Sequence, residues 1–160
     1  MYERAIDDLT AGGFEHYEVS NFAQPGHRCR HNETYWTGGE YFAAGPGAAR
    51  YVAGRRETNH RSTTTYLKRV LAGKSPVAEI ETLDRENAAR ERLVFGLRRL
   101  EGVDRVRFEE YTGYTIEQLA GPSLQTFLDQ GLLENTATHL RLTRRGLLVS
   151  DSLWPEFLRC

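Results

Sequence analysis

The chain has 160 residues, 39% of them hydrophobic, with 21 Lys and Arg against 22 Asp and Glu and a formal net charge of -1. That size and apolar content suffice to bury a core in one domain or two small ones, and the near-balanced charge gives no broad attraction to nucleic acid or acidic membranes. Two cysteines, Cys29 and Cys160, form no recognisable zinc or disulfide framework, and with no 18-residue apolar run and no leader segment a cytoplasmic location is expected.

In chain order the first predicted element is a helix. Tyr2, Ala5, Ile6 and Leu9 recur at the spacing of a buried stripe, and Gly12-Gly13 stops it. The run HYEVS then alternates as a strand does. A helix, a glycine stop and a strand look like the last βα repeat of a larger α/β sheet. One repeat cannot bury its own faces, so a fragment is expected whose strand edge is exposed, rearranged or covered by another copy.

From Tyr17 to Gly47 the sequence reads YEVSNFAQPGHRCRHNETYWTGGEYFAAGPG. Asn21, His27, Cys29, His31 and Asn32 stand among Tyr35, Trp36, Tyr41 and Phe42, a mixture that predicts a functional loop. His31 sets an imidazole beside flat rings suited to a planar ligand; from spacing alone a satisfied structural histidine is the commoner outcome. Cys29 and His31 could share a metal, but only His27 stands near enough to add a ligand, and a structural role is the simpler reading. Ser20 and Asn21 end the predicted strand, where α/β folds place ligand groups, or they initiate the turn before Pro25. Gly45-Pro46-Gly47 suits a tight turn and lacks the helix and basic residue of a phosphate loop.

Further on, AARYVAGRRETNH predicts a hairpin turning at Ala53-Gly54. Thr63 to Thr65 are placed to cap a helix that carries Tyr66, Leu67, Val70 and Leu71 and ends before Gly73 and Pro76. Lys74 to Glu81 shows little periodicity and is expected to be a connector, which divides the chain into domains 1–75 and 76–160. Asp84 then caps a helix with Ala89, Leu93, Leu97 and Leu100 on one face, closed by Gly102 as C-cap. A short helix follows from Val106 to Tyr111, and a third spans Ile116 to Gln130 with Leu119, Leu124, Phe127 and Leu128 inward, a kink at Pro122 and a stop at Gly131. Leu132-Leu133 and His139–Leu142 form a hairpin. Thr143 caps a last helix with Leu147, Leu148 and Leu153, leaving Trp154 and Phe157 in a terminal tail.

The expected fold class is therefore α+β: a terminal βα piece with a hairpin extension, then a winged-helix-like domain. That architecture raises DNA binding, which the residues oppose. Between Thr112 and Gly131 there is no Lys or Arg, Glu117 and Asp129 add negative charge, and only Arg141, Arg144 and Arg145 near the wing compensate.

The runs YEVSNFA, CRHNETYW, the Gly-Pro-Gly-Ala turn, ARERLVFGLRRLEGVD and LRLTRRGLLVSD, in that order, resemble the C-terminal half of the HemW-type proteins. These are relatives of oxygen-independent coproporphyrinogen III oxidase in the radical S-adenosylmethionine superfamily. The resemblance implies that residues 1 to about 60 end a truncated radical-enzyme barrel and its extension, and that those from about 80 form the family's C-terminal domain. It implies a haem chaperone delivering haem to respiratory haem enzymes, with the family's HNxxYW motif, implicated in haem binding, matched by His31, Asn32, Tyr35 and Trp36, and His31 as the ligand to iron if the contact is axial. It places Ser20 and Asn21 near cofactor in the parent. The family's CxxxCxxC motif is absent here, so the 4Fe-4S cluster and S-adenosylmethionine are expected only in the full-length parent, and this piece is expected to be noncatalytic. Where the family has Gly-Ala-His-Ser, this chain has Gly47, Ala48, Ala49 and Arg50. Expected partners are haem or porphyrin, the N-terminal barrel, respiratory enzymes and, through the truncated edge, a second copy; DNA is not expected. The alternatives are an authentic coproporphyrinogen III oxidase of porphyrin synthesis and a winged-helix nucleic-acid binder.

Overall fold

The computed structural model describes residues 1–158, so the expectation for Cys160 falls outside the described residues. The elements are α1 (Tyr2–Ala11), β1 (Glu15–Glu18), β2 (Asn21–Ala23), α2 (Arg30–Trp36), β3 (Ala49–Val52), β4 (Arg55–Asn59), α3 (Thr63–Leu71), β5 (Val77–Thr82), α4 (Arg85–Arg98), β6 (Val103–Asp104), α5 (Arg105–Thr112), α6 (Ile116–Asp129), β7 (Leu133–Asn135), β8 (His139–Leu142), α7 (Arg144–Leu148) and α8 (Ser150–Leu158). The expected mixture of helices and strands is present. Contacts gather these into two compact units, one of residues 1–37 with 85 onward and one of residues 38–84. The 75/76 division falls inside the second unit, because the expected connector is a strand: β5 pairs antiparallel with β4 from Arg55↔Thr82 to Asn59↔Val77.

The first unit holds the apolar core. On α4 the predicted stripe is buried, with Leu93 and Leu97 fully inaccessible, and it meets Leu119 and Leu124 of α6, Leu140 of β8 and Leu153 and Phe157 of α8. A capping box starts α6, in which the Thr115 hydroxyl accepts the Gln118 N–H at 3.2 Å and the Gln118 side chain accepts the Thr115 N–H at 2.8 Å. The predicted kink is real: Gly121 leaves helical geometry at φ 49°, ψ -133° just before Pro122, which has no N–H to give. The buried Arg90 of α4 meets carbonyls around that break, donating to Leu119 O at 2.6 Å and to Phe157 O of α8 at 3.2 Å, while Glu86 pairs with it at 2.7 Å. One side chain thereby ties three helices together.

Beside these helices lies a three-stranded sheet in the order β6-β8-β7. The hairpin β7-β8 is the one expected from sequence; β6, two residues long, is an addition. Gly102 does not cap α4, which ends at Arg98. It adopts φ +82° where a Cβ would overlap the Leu140 carbonyl, so glycine is required for strand approach rather than helix termination. The expected single last helix is two, because the chain leaves helical geometry at Val149 between α7 and α8. Thr143 caps α7 as predicted, accepting the Gly146 N–H at 3.0 Å. Trp154 and Phe157 are no tail: both lie on α8 and are buried.

The N-terminal strand turns back at once. β1 pairs with β2 through Glu15↔Ala23, His16↔Phe22 and Glu18↔Asn21. Its other edge is occupied by the chain itself, with Val19 N–H donating to Arg98 O at 2.9 Å and Leu100 N–H to Tyr17 O at 3.2 Å. Residues 98–100 thus take part of the second edge of β1. Among the described residues no helix is long and apolar enough to cross a membrane.

The second unit is built on a hairpin. Ala53 and Gly54 both take left-handed geometry, φ 51° and 74°, the type I′ turn that matches strand twist, and β3 pairs with β4 as predicted. Ser62, not Thr63 to Thr65, caps α3, accepting the Thr65 N–H at 3.3 Å. The buried residues of residues 38–84 are polar, Glu57 and Asn59 of β4, whereas Phe42, Leu67, Val70, Leu71 and Ile80 are exposed. Glu57 holds Arg50 and Arg55 (3.0 Å), and Asn59 donates to Gly45 O at 3.0 Å.

Candidate functional site

The segment HNxxYW is a helix, α2, and not the loop expected. It lacks a side-chain cap at Cys29 and has no long apolar stripe, so its stability comes from what it leans on. That support begins with Glu18, a carboxylate with no solvent exposure. One oxygen receives Arg98 through Nε and Nη2, each at 2.7 Å. The other receives the Ser20 N–H at 3.0 Å, the Ser20 hydroxyl at 3.2 Å and the Asn21 amide. A buried charge so surrounded is tolerable because both oxygens are satisfied by a cation and by donors.

The network continues into α2. Asn32 donates to Asn21 Oδ1 at 3.1 Å. One turn later Trp36 lies under the Arg98 guanidinium, 4.4 Å from its ring centroid, and packs at 6.0 Å against Phe95 of α4. Asn32 and Trp36, four residues apart, therefore form the inward face of the helix. His31 and Tyr35, also four apart, form another, their rings edge to face at 4.8 Å, with His31 exposed. The four motif residues do two jobs: two hold the helix and two are presented by it.

Arg28 secures the start of α2. It pairs with Glu15, with Glu101 at 2.6 Å and with Glu33 at 3.7 Å, and lies 5.4 Å from the Tyr17 ring centroid. Hydrogen bonding to Arg28 holds both the Glu15 and Glu101 carboxyls below the ordinary carboxylate range, and the same carboxylates raise Arg28 further.

Of the sequence-predicted site residues, His31, Asn32, Tyr35 and Trp36 share α2, and Ser20 and Asn21 sit beneath it as partners of Glu18. Cys29 is an exposed free thiol, and His27 turns to the Pro25 carbonyl at 3.0 Å. Among the described residues no three of His, Cys, Asp and Glu are grouped to hold a metal ion. Arg50, at the departure from the family pattern, is engaged by Glu57. Glu18, Arg28 and Arg98 were missed by sequence reasoning. The signal available for Glu18 was a carboxylate between Tyr17 and Val19 in a strand whose neighbours are apolar.

Comparison with known proteins bears on this arrangement. Residues 83–149 match the model of the HemN C-terminal domain family. Over 99% of its length the chain is 35% identical to Heme chaperone HemW of Lactococcus lactis and 32% identical to that of Bacillus subtilis, covering 41% and 42% of those proteins. The chain thus spans about two fifths of the length of these relatives. The solved structure of coproporphyrinogen III oxidase (HemN) from Escherichia coli, a radical SAM enzyme, superposes with a TM-score of 0.77 over 97% of this chain and 39% of that one, at 15% identity. At that identity the likeness speaks for the fold alone.

Proposed function

This chain belongs to the HemW-type family, whose C-terminal part it matches, and from that premise we propose that it is the haem-presenting segment of a haem chaperone serving respiratory haem enzymes. The observation that carries the reading is the division of α2: Asn32 and Trp36 are consumed in docking, while the exposed His31 imidazole stands against the Tyr35 ring, held but accessible. Imidazole is a common ligand of haem iron, and a planar macrocycle would lie against the Tyr35 ring. His31 would take the iron. The Glu18 carboxylate, Ser20 and Asn21 would keep the helix in place beneath it.

A 4Fe-4S cluster does not fit this chain, which has two cysteines where such clusters are held by several thiolates. The cluster and S-adenosylmethionine are accordingly assigned to the full-length parent, and this segment is read as noncatalytic. Residues 1 to about 60 are read as the end of the radical-enzyme barrel with its extension, and the succession α4, β6, α5, α6, β7, β8 supports reading the chain from Arg85 onward as winged-helix-like. Nucleic-acid binding is disfavoured by the absence of Lys and Arg between Thr112 and Gly131 and by Glu117, whose partner is Arg105.

Haem titration of the chain beside His31→Ala, followed in the Soret region, tests the proposal. A displaced band and an affinity loss of roughly tenfold or more are expected on removing the ligand. Identical spectra and affinities for the two proteins would remove His31 from the site. If the full-length protein decarboxylates coproporphyrinogen III, the oxidase reading replaces the chaperone one.

A further inference from the structure

Below the C-terminal end of α2 the first unit contains a cavity of about 410 Å³, walled by Trp36, by α4 and by the turn and helix from Glu101 to Tyr111. Its volume falls in the range of small-ligand sites. It uses none of the exposed face carrying His31 and Tyr35, and the reading above leaves it without a role.

The charges in its wall are unequal in their commitments. Glu101 is divided between Arg28 at 2.6 Å and Arg99 at 2.5 Å. Asp104 accepts the Arg107 N–H at 3.0 Å as the cap of α5. Arg92 differs: its guanidinium carbon lies 3.6 Å from the Tyr111 ring centroid, so among the described residues its neighbour is an aromatic face rather than a carboxylate. The Arg107 side chain is largely exposed and only 3.9 Å from Asp104 at its nearest approach. Two guanidiniums at one cavity thus keep donors to spare. Arg matches carboxylate geometry with two parallel donors, and an aromatic face below it leaves those donors free at its edge.

Among the described residues the Trp36 Nε1–H has no hydrogen-bond partner, and it is closed off from solvent. Trp36 and Tyr111 also give the cavity flat apolar walls.

We propose that this cavity receives a carboxylate arm of a planar aromatic acid, with Arg92 and Arg107 as its anion partners and the Trp36 and Tyr111 rings as its apolar walls. Resting on the haem reading, this makes the cavity the seat of a tetrapyrrole's acidic side chains, with the ring lying toward α2. Trp36 would then serve both the docking of α2 and the ligand.

The probes are metal-free protoporphyrin IX, which cannot use an axial imidazole, and its dimethyl ester, which carries no free carboxylates. Equilibrium dialysis of the chain with each is expected to show the free acid bound at least tenfold more tightly, as the loss of a charge-assisted hydrogen bond implies. Arg92→Gln and Arg107→Gln should each weaken the acid by roughly threefold to tenfold and leave the ester unchanged. Equal binding of acid and ester, or no binding of the acid, overturns the proposal whether or not the variants fold. Haem binding lost in His31→Ala but indifferent to both arginine variants overturns it and leaves the haem reading intact. The reverse pattern, acid binding lost with the arginines and haem indifferent to His31, supports the cavity and removes His31.

Discussion

The two units of this chain are stabilised by opposite means. In residues 1–37 with 85 onward, leucines and aromatics of α4, α6 and α8 are sealed from water and the polar groups that go inside are closed networks around Glu18 and Arg90. In residues 38–84 the buried side chains are Glu57 and Asn59, and Phe42, Leu67, Val70, Leu71 and Ile80 are exposed. The first is stabilised chiefly by removing apolar surface from water, the second by strand pairing, a type I′ turn and hydrogen bonds from polar side chains. An apolar core fixes positions to within a rotamer, which is what a helix presenting an imidazole requires. The hairpin unit offers no such support.

Apolar truncation should separate the units most sharply. Leu93→Ala, at a site with no solvent exposure, should cost about 2–5 kcal/mol, whereas Leu71→Ala, 85% exposed, should stay within about 0.5 kcal/mol. Urea denaturation measures both, and amide exchange in β4 should remain protected while the first unit of Leu93→Ala loosens. Comparable costs for the two variants would erase the contrast.

A polar pair comes next. Glu18→Gln leaves Arg98 without its carboxylate in a buried setting and should cost on the order of 2–3 kcal/mol. Glu57→Gln should cost about 1 kcal/mol or less, because Arg50 and Arg55 are about half exposed and water replaces the lost charge. Since Asn32 is linked to Glu18 through Asn21, Glu18→Gln should also loosen α2, read as lost protection of its amides.

The smallest effect is one of pH. His16 stacks on Phe22 at 4.2 Å, and burial holds its imidazole below its ordinary 6.5. The unfolded chain therefore binds the proton first, and stability of the first unit should decline as pH falls from about 6.5 through the folded-state value. At lower pH Glu101, depressed by Arg28, adds to the same trend. His16→Phe should remove the part nearest 6.5, visible in thermal melts between pH 7 and 5; an unchanged profile would show that His16 is not its source.

The sequence disclosed elements wherever a local signal matched a local structure. The stripe of α1, the turn at Ala53-Gly54, the break at Pro122 and the cap at Thr143 are of this kind, each decided within a few residues. It failed where partners are distant. β6 is two residues whose strand character exists only because β8 lies alongside, and β5 exposes Ile80, so its alternation did not read as a buried face. The motif helix α2 has neither cap nor stripe, because its anchors are Asn21 and Arg98. For the site, the family resemblance supplied His31, Asn32, Tyr35 and Trp36, but not which two would face inward. That choice depends on Glu18 and Arg98, which are eighty positions apart.

The interruption of the first unit by the second fixes an order of events during synthesis. Residues 1–37 are made before α4, and the whole of residues 38–84 is made in between, a delay of a few seconds at roughly 5–20 residues per second. The hairpin β3-β4, whose contacts are local, can close meanwhile. Until then Glu18 lacks Arg98, so the nascent helix α2 acquires this part of its seat only once Arg98 has left the ribosome.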